Sequence, residues 1–364
     1  MTDKTSHGGN IYKMAKKLGI PESEVLDFSA NINPIGLPDF IREALISSID
    51  GIINYPDPEC TALREAISCH DGVPADFISC GNGGADLLFR LAYGLRPGKV
   101  LLPVPAFVEY EEAMTAAGAE MVYYFMGEDL EIHEDILDLM SEDIDLMIIC
   151  NPSNPTGILT GRDLLERILD QAGKKGIRLM IDECFLEICE EEEHFTMRGC
   201  LEENPNLLIL KSFTKLYAIP GLRLGYTLCS DRDLNKKMVC AGQAWPVSYI
   251  AQKAGEAACA EPEYRDQVVE VVDRELVYMK SRLSRLPIEL YDGRANYLFF
   301  RMPGVTDLDC RLEKYGILIR NCSNYRNLGP DYWRVAVKTH DENMQLIKTL
   351  NELVDSMEIG GKNG

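Results

Sequence analysis

From residue 50 to about residue 235 the sequence alternates short apolar runs with amphipathic segments, and no other feature constrains the fold as tightly. Leu146-Met147-Ile148-Ile149-Cys150 is apolar at every position, so a strand there must be covered on both faces. Similar strands are expected at Phe77 to Cys80, Val100 to Leu102, Met121 to Phe125, Arg178 to Ile181 and Leu207 to Lys211. Helical spacing between them falls at Ala62 to Ser68, Asp86 to Tyr93, Val108 to Ala117, Ile132 to Met140 and Leu164 to Lys174. Strands buried on both faces and separated by helices predict a mostly parallel α/β sheet. Beyond residue 240 the pattern changes. A long helical region near 248–285 precedes apolar strands at Tyr297 to Phe300 and Trp333 to Val337, as in a smaller α+β unit. The expected division is 1–45 as an N-terminal arm and part of the small domain, 46–240 as the large domain, 241–358 as the small C-terminal domain and 359–364 as a disordered tail.

The net charge of −21, from 58 acidic and 37 basic residues, repels nucleic acid and anionic lipid. Neither is an expected partner, and an anionic ligand would need a locally positive pocket inside this negative shell. The acidic run Glu190 to Glu193 reads as a solvated loop. Twelve scattered cysteines without a C-x-x-C pair fit reduced thiols better than disulfides or a zinc site. With no apolar leader and no run of membrane-spanning length, a cytoplasmic protein is expected. Trp245 and Trp333 read as core or pocket wall.

Chemistry concentrates in the stretch Lys211 to Gly225. Ser212 stands three residues before Lys215, and Arg223 eight after it, in a loop broken by Pro220 and Gly221. A buried lysine has an accessible neutral amine that can form a Schiff base with a carbonyl. A serine hydroxyl and an arginine fork suit a phosphate dianion. A basic surface loop would use the same residues, so other anchors must decide. Gly81-Asn82-Gly83-Gly84 follows one strand and opens a helix, where backbone N–H groups can face an anion, although a plain tight turn has the same composition. Asn151-Pro152-Ser153-Asn154-Pro155 repeats Asn-Pro at the carboxyl end of a strand, where α/β proteins bind ligands. Asp182 ends the next strand; it can hold a protonated pyridine nitrogen or simply cap a helix. An aldehyde carrying a phosphate and a pyridine ring, pyridoxal phosphate, would use all four anchors.

The order of these motifs resembles the fold-type I pyridoxal-phosphate enzymes, the aspartate-aminotransferase superfamily, over nearly the whole chain. That resemblance implies a large domain with a seven-stranded, mostly parallel sheet plus a smaller α+β domain. It implies Lys215 as the Schiff-base lysine, Asp182 at the pyridine nitrogen and Asn154 at the ring 3-oxygen. Asn82, Gly83, Gly84, Ser212 and Arg223 would hold the phosphate, and Phe107 would stack on the ring. Tyr55 resembles the tyrosine that reaches the neighbouring subunit's phosphate, which implies a homodimer. One departure stands out: Phe185 occupies a place where many relatives carry a tyrosine whose hydroxyl also bonds the ring oxygen.

Two branches of the superfamily share finer detail. Histidinol-phosphate aminotransferases share Tyr55-Pro56, the arginine of Ile319-Arg320 and Trp333-Arg334-Val335. The longer similarity is to the L-threonine-O-3-phosphate decarboxylases of cobalamin biosynthesis, which form (R)-1-amino-2-propanol O-2-phosphate. It runs through His7 to Ile11, Leu26 to Pro34, Ser212 to Tyr226 and Gly293 to Tyr297, and Phe185 agrees with it. On this resemblance Arg334 takes the substrate carboxylate, and Arg320 with His7 and Asn31 takes the substrate phosphate. A histidine near a terminus is otherwise commonly an unordered residue. Three other functions share this sequence pattern: a serine-phosphate decarboxylase serving a norcobamide, a histidinol-phosphate aminotransferase, and a non-catalytic ligand-sensing regulator. One methyl group separates threonine phosphate from serine phosphate, worth roughly 1–3 kcal/mol in a pocket.

Overall fold

The computed structural model describes residues 8–361. Its central sheet has seven strands in the spatial order Ile78–Gly81, Gly225–Leu228, Leu207–Ser212, Arg178–Asp182, Leu146–Cys150, Lys99–Val104 and Glu120–Phe125. Gly225–Leu228 runs antiparallel to both neighbours, and the other pairings are parallel. Alternate residues feed two separate cores. Leu101, Met147, Ile149, Leu179, Ile181, Leu207 and Ile209 pack on one face, while Val100, Leu102, Leu146, Ile148, Met180, Leu208 and Leu210 pack on the other. This two-sided burial is why the strands read as unbroken apolar runs.

The flanking helices bury the stripes their spacing implies. Arg162–Lys175 turns Leu165, Ile168, Leu169 and Ala172 inward and ends at Gly176, whose φ of 70° suits a left-handed cap. The C-terminal part builds a four-stranded antiparallel sheet in the order Arg320–Asn321, Tyr332–Ala336, Tyr297–Arg301 and Glu289–Leu290. The helices Tyr264–Leu283 and His340–Gly361 pack with it, whereas Tyr249–Cys259 lies against Asp39–Ser48 and Thr61–Asp71. Near the N-terminus, Leu26–Asp27 pairs in parallel with Ile317–Leu318. The Ala336 N–H then donates to the Phe28 carbonyl, which brings the following residues, Ser29 to Asn31, up to the strand that carries Arg334. Asp27 accepts from the Ser29 N–H and hydroxyl and so shapes that turn.

Three expectations need correction. The helix expected over Ile132 to Met140 shrinks to Ile136–Leu139, because the segment before it is tied across to Tyr124 through the His133 N–H and Asp135. The acidic run is solvated at Glu190, Glu191 and Glu193, but Glu192 starts the short helix Glu192–Phe195 and is buried against Lys211 (3.5 Å) and Arg265 (2.8 Å). The tail expected to be disordered from 359 lies in the helix His340–Gly361 as far as residue 361, and residues 362–364 fall outside the described residues.

Lys211 itself is 1% exposed, and its ammonium faces Glu187 at 2.9 Å and Asp71 at 3.3 Å. Burial works against its charge, but Asp71, Glu187 and Glu192 together hold its pKa well above the usual lysine value. Asp71 also accepts from the Tyr226 hydroxyl and pairs with Arg198. This buried ion cluster lies one residue from Ser212 and anchors the strand that presents the reactive loop.

Candidate active site

The carboxyl ends of Leu146–Cys150, Arg178–Asp182 and Leu207–Ser212 open into a cavity of about 310 Å³. Each strand end is broken differently. The cis peptide Asn151–Pro152 turns the chain away after Cys150 and sets Asn154 in the wall. Asp182 closes its own strand, with Oδ1 accepting from the Cys184 N–H at 2.9 Å. Ser212 caps the one-turn helix Phe213–Leu216, which carries Lys215.

Lys215 is half-buried over the face of Phe185, its Nζ 5.5 Å from the ring centroid. Burial, reinforced by the charges of Arg334 and Arg223, lowers its pKa to about 8, so roughly a tenth is neutral amine at pH 7 and about half at pH 8. Asp182 is raised by burial and opposed by its two donors, Cys184 and the Tyr110 hydroxyl, which reaches Oδ2 at 2.6 Å. A carboxylate held by two donors keeps a fixed direction while its remaining lone pairs face the cavity.

Arg223 and the glycine turn fit one another closely. Arg223 has a left-handed φ of 60°, and Gly83 has a φ of 82°. A Cβ on Gly83 would come within 2.6 Å of Arg223 Nη2, so the guanidinium can lie over this turn only because the residue is glycine. Gly84, Ser212, Thr214 and Arg223 line the cavity together. Asn82 does not join them: its side chain is exposed and its N–H is taken by Asp86 at 2.9 Å. Phe107 lines the cavity at the start of Val108–Ala116 and meets Tyr110 edge-on, ring centroids 5.7 Å apart.

Asn31, Arg320 and Arg334 converge from the other side. Arg334 Nη1 donates to Asn154 Oδ1 (2.5 Å) and Nη2 to the Ser29 carbonyl (3.2 Å), while its buried Nε has no protein partner. Arg320 Nη2 donates to Asn324 Oδ1 at 2.7 Å, and its guanidinium lies 5.2 Å from the Tyr325 ring centroid. His7 lies outside the described residues, although Gly8 beside it lines the cavity. Tyr55 takes no part in its own chain's cavity. It is 78% exposed and stacks on Trp245 at 4.4 Å. Trp245 is therefore a half-exposed surface residue rather than core or cavity wall, whereas Trp333 is core.

Sequence reasoning missed Tyr110, Thr214 and Tyr325. The first had a signal, since it stands three residues past Phe107 and so on the same helical face. Thr214 sits inside the motif that was read. Tyr325 had none, because the Asn154 oxygen it bonds is 171 residues away.

The residues fit a phosphorylated pyridine aldehyde. A depressed amine, a fixed carboxylate and a glycine–arginine–hydroxyl cradle surround one cavity, and a buried donor of Arg334 remains unpaired inside it. Comparison with known proteins agrees. The aminotransferase class I and II family matches residues 23–350. The threonine-phosphate decarboxylase of Salmonella typhimurium is 37% identical over 354 residues, 96% of this chain and 97% of the relative. The crystal structure of L-threonine-O-3-phosphate decarboxylase from Porphyromonas gingivalis superposes with a TM-score of 0.82 at 25% identity, covering 91% of this chain and all (100%) of that one. That of histidinol-phosphate aminotransferase from Clostridium acetobutylicum gives 0.86 at 26%, with the same coverage of 91% and 100%.

Proposed function

This chain belongs to the aminotransferase class I and II family, and we propose that within it the protein decarboxylates L-threonine O-3-phosphate, using pyridoxal phosphate, to (R)-1-amino-2-propanol O-2-phosphate. The observation that carries this reading is the 37% identity to a threonine-phosphate decarboxylase across almost the full length of both chains. The cavity supports it with two arginines beyond Lys215, enough for a substrate that bears both a carboxylate and a phosphate. The product belongs to cobalamin biosynthesis, in keeping with a relative named for that pathway.

In this reading Lys215 would hold the cofactor's aldehyde, Asp182 its ring nitrogen and Asn154 its ring oxygen, and Phe107 would stack on the ring. Gly83, Gly84, Ser212 and Arg223 hold its phosphate, and Asn82 contributes only through the turn it begins. Bound there, the cofactor supplies an electron sink for the pair left when a bond at the substrate's Cα breaks. The chain's own residues choose which bond. Arg334 receives the carboxylate with donors that include its unpaired Nε. Arg320 and Asn31, with His7 from the segment preceding Gly8, hold the substrate phosphate. Binding energy spent on that remote group would orient the substrate so that its Cα–carboxylate bond, rather than its Cα–H bond, is the one that breaks. Lys215, near pH 8 both a base and an acid, returns a proton to Cα.

The test incubates the cofactor-loaded protein with L-threonine O-3-phosphate and no keto acid. Stoichiometric CO₂ with aminopropanol phosphate is the expected result. An amino group passed to 2-oxoglutarate from histidinol phosphate, without CO₂, would instead make it an aminotransferase. Running L-serine O-phosphate in parallel decides the methyl preference.

The reading also includes a homodimer in which Tyr55 of each protomer reaches the other's phosphate site. Its support is the exposure of Tyr55 together with apolar Ile46, Ile49, Ile52 and Ile53 on one stretch of surface. Sedimentation should give twice the 40.8 kDa chain mass. A fully active monomer would remove this part. Twelve free cysteines and the absence, among the described residues, of any helix long and apolar enough to cross a membrane support work in the cytoplasm.

A further inference from the structure

Two buried tyrosine hydroxyls stand behind the cavity, each on a different polar residue. Tyr110 backs Asp182, and Tyr325 donates to Asn154 Oδ1 at 3.2 Å. The same Asn154 oxygen accepts from Arg334 Nη1. A carboxamide oxygen has two lone pairs, so both are occupied. Arginine only donates, which fixes the oxygen toward Arg334 and leaves the amide nitrogen as the end presented to the cavity. Arg334 is also the group expected to receive the substrate carboxylate. Arg334 is thus shared with the substrate, whereas Tyr325 is a donor to Asn154 that keeps the amide oriented with or without substrate.

The sequence provides a reason for a second donor. Phe185 has no hydroxyl, and its ring is held edge-on against Tyr297, 5.1 Å between centroids, whose own hydroxyl is committed to the Ser153 carbonyl at 2.8 Å. Tyr325 comes instead from the loop after Arg320–Asn321, is 3% exposed, and packs with Phe299, Cys322 and Leu130. Its ring lies beneath the Arg320 guanidinium, so one side chain touches both an anion-binding arginine and the amide at the cofactor's ring.

We infer that Tyr325 is a positioning residue that keeps the Asn154 amide nitrogen on the ring oxygen of bound pyridoxal phosphate, compensating for the hydroxyl Phe185 lacks. The inference rests on the reading that the cavity holds that cofactor on Lys215. A donor at the ring oxygen stabilises its negative charge and weakens its hold on the proton shared with Lys215 Nζ. Removing the donor strengthens that hold.

Tyr325→Phe keeps the ring under Arg320 and deletes only the hydroxyl. The readout is the pH midpoint of the visible absorption change of the cofactor-loaded protein, measured without substrate. The midpoint should rise by about half a unit, the size expected of one hydrogen bond acting through a neighbour. In an Asn154→Ala background the same substitution should add nothing, and Phe185→Tyr combined with Tyr325→Phe should bring the midpoint back toward the parent value. An unmoved midpoint in Tyr325→Phe overturns the inference, as does an equal, additive shift in the Asn154→Ala background. If the parent protein itself develops no visible band with the cofactor, the cofactor reading fails and takes this inference with it. A band with an unmoved midpoint removes the inference alone.

Discussion

Lys215→Met is expected to abolish turnover while making the cofactor-free protein more stable. Activity should fall by at least about a thousandfold, since the chain loses both its attachment point for the cofactor and its proton carrier at Cα. Stability should move the other way. Burial lowers the Lys215 pKa to about 8 from 10.5, so below pH 8 the folded protein holds an ammonium that would be better solvated in the unfolded chain. Between pH 8 and 10.5 the unfolded state binds more protons, and stability rises with pH there; below pH 8 the full penalty of about 3 kcal/mol applies. Methionine keeps the aliphatic packing without the charge. The gain in unfolding free energy should therefore be greatest near neutrality and fade as pH climbs through that window. Urea denaturation of the apo variant and its parent at pH 7 and pH 10 measures it. A variant no more stable than its parent at pH 7 would show that the amine is not desolvated as described.

Lys211→Met should do the reverse and destabilise the fold without touching the cavity directly. It removes the ammonium from between Asp71, Glu187 and Glu192, leaving carboxylates buried beside Arg198, Arg265 and the His70 ring. Breaking one member of such a buried set costs about 3–5 kcal/mol, mostly through the charges left behind. Glu187, already raised by burial, and its neighbours can shed that charge by taking up protons. The loss should then be largest at and above neutral pH and shrink toward pH 5. Thermal or urea unfolding across that range gives the profile. A loss below about 1 kcal/mol that is flat with pH would reduce the cluster to an ordinary surface ion pair.

How much of this was legible in the residues depends on how local each feature is. The sheet was, because a strand covered on both faces must be apolar throughout, and Leu146 to Cys150 carries that requirement in five consecutive letters. Asn151-Pro152, Asp182 and Ser212 to Lys215 were legible for a related reason. They sit where strands end, and proline, glycine and capping residues mark such ends by their own backbone preferences. The charge run misled at Glu192 alone, and for a physical reason too. Charge density predicts solvation on average, but the desolvation of Glu192 is offset by Lys211 and Arg265, and Lys211 lies 19 residues along the chain.

The sequence by itself determined a two-faced parallel sheet, the loops at its carboxyl edge and the chemistry of the groups they carry. Tertiary structure alone decided the partners that orient those groups. Arg334 meets Asn154 across 180 residues and Tyr325 meets it across 171, while Lys211 meets Asp71 across 140. Backbone preference and apolar periodicity act over a few residues and leave a mark in the letters. A hydrogen bond or buried ion pair between distant segments exists only once the sheet has closed and excluded water from both partners, so no local pattern announces it.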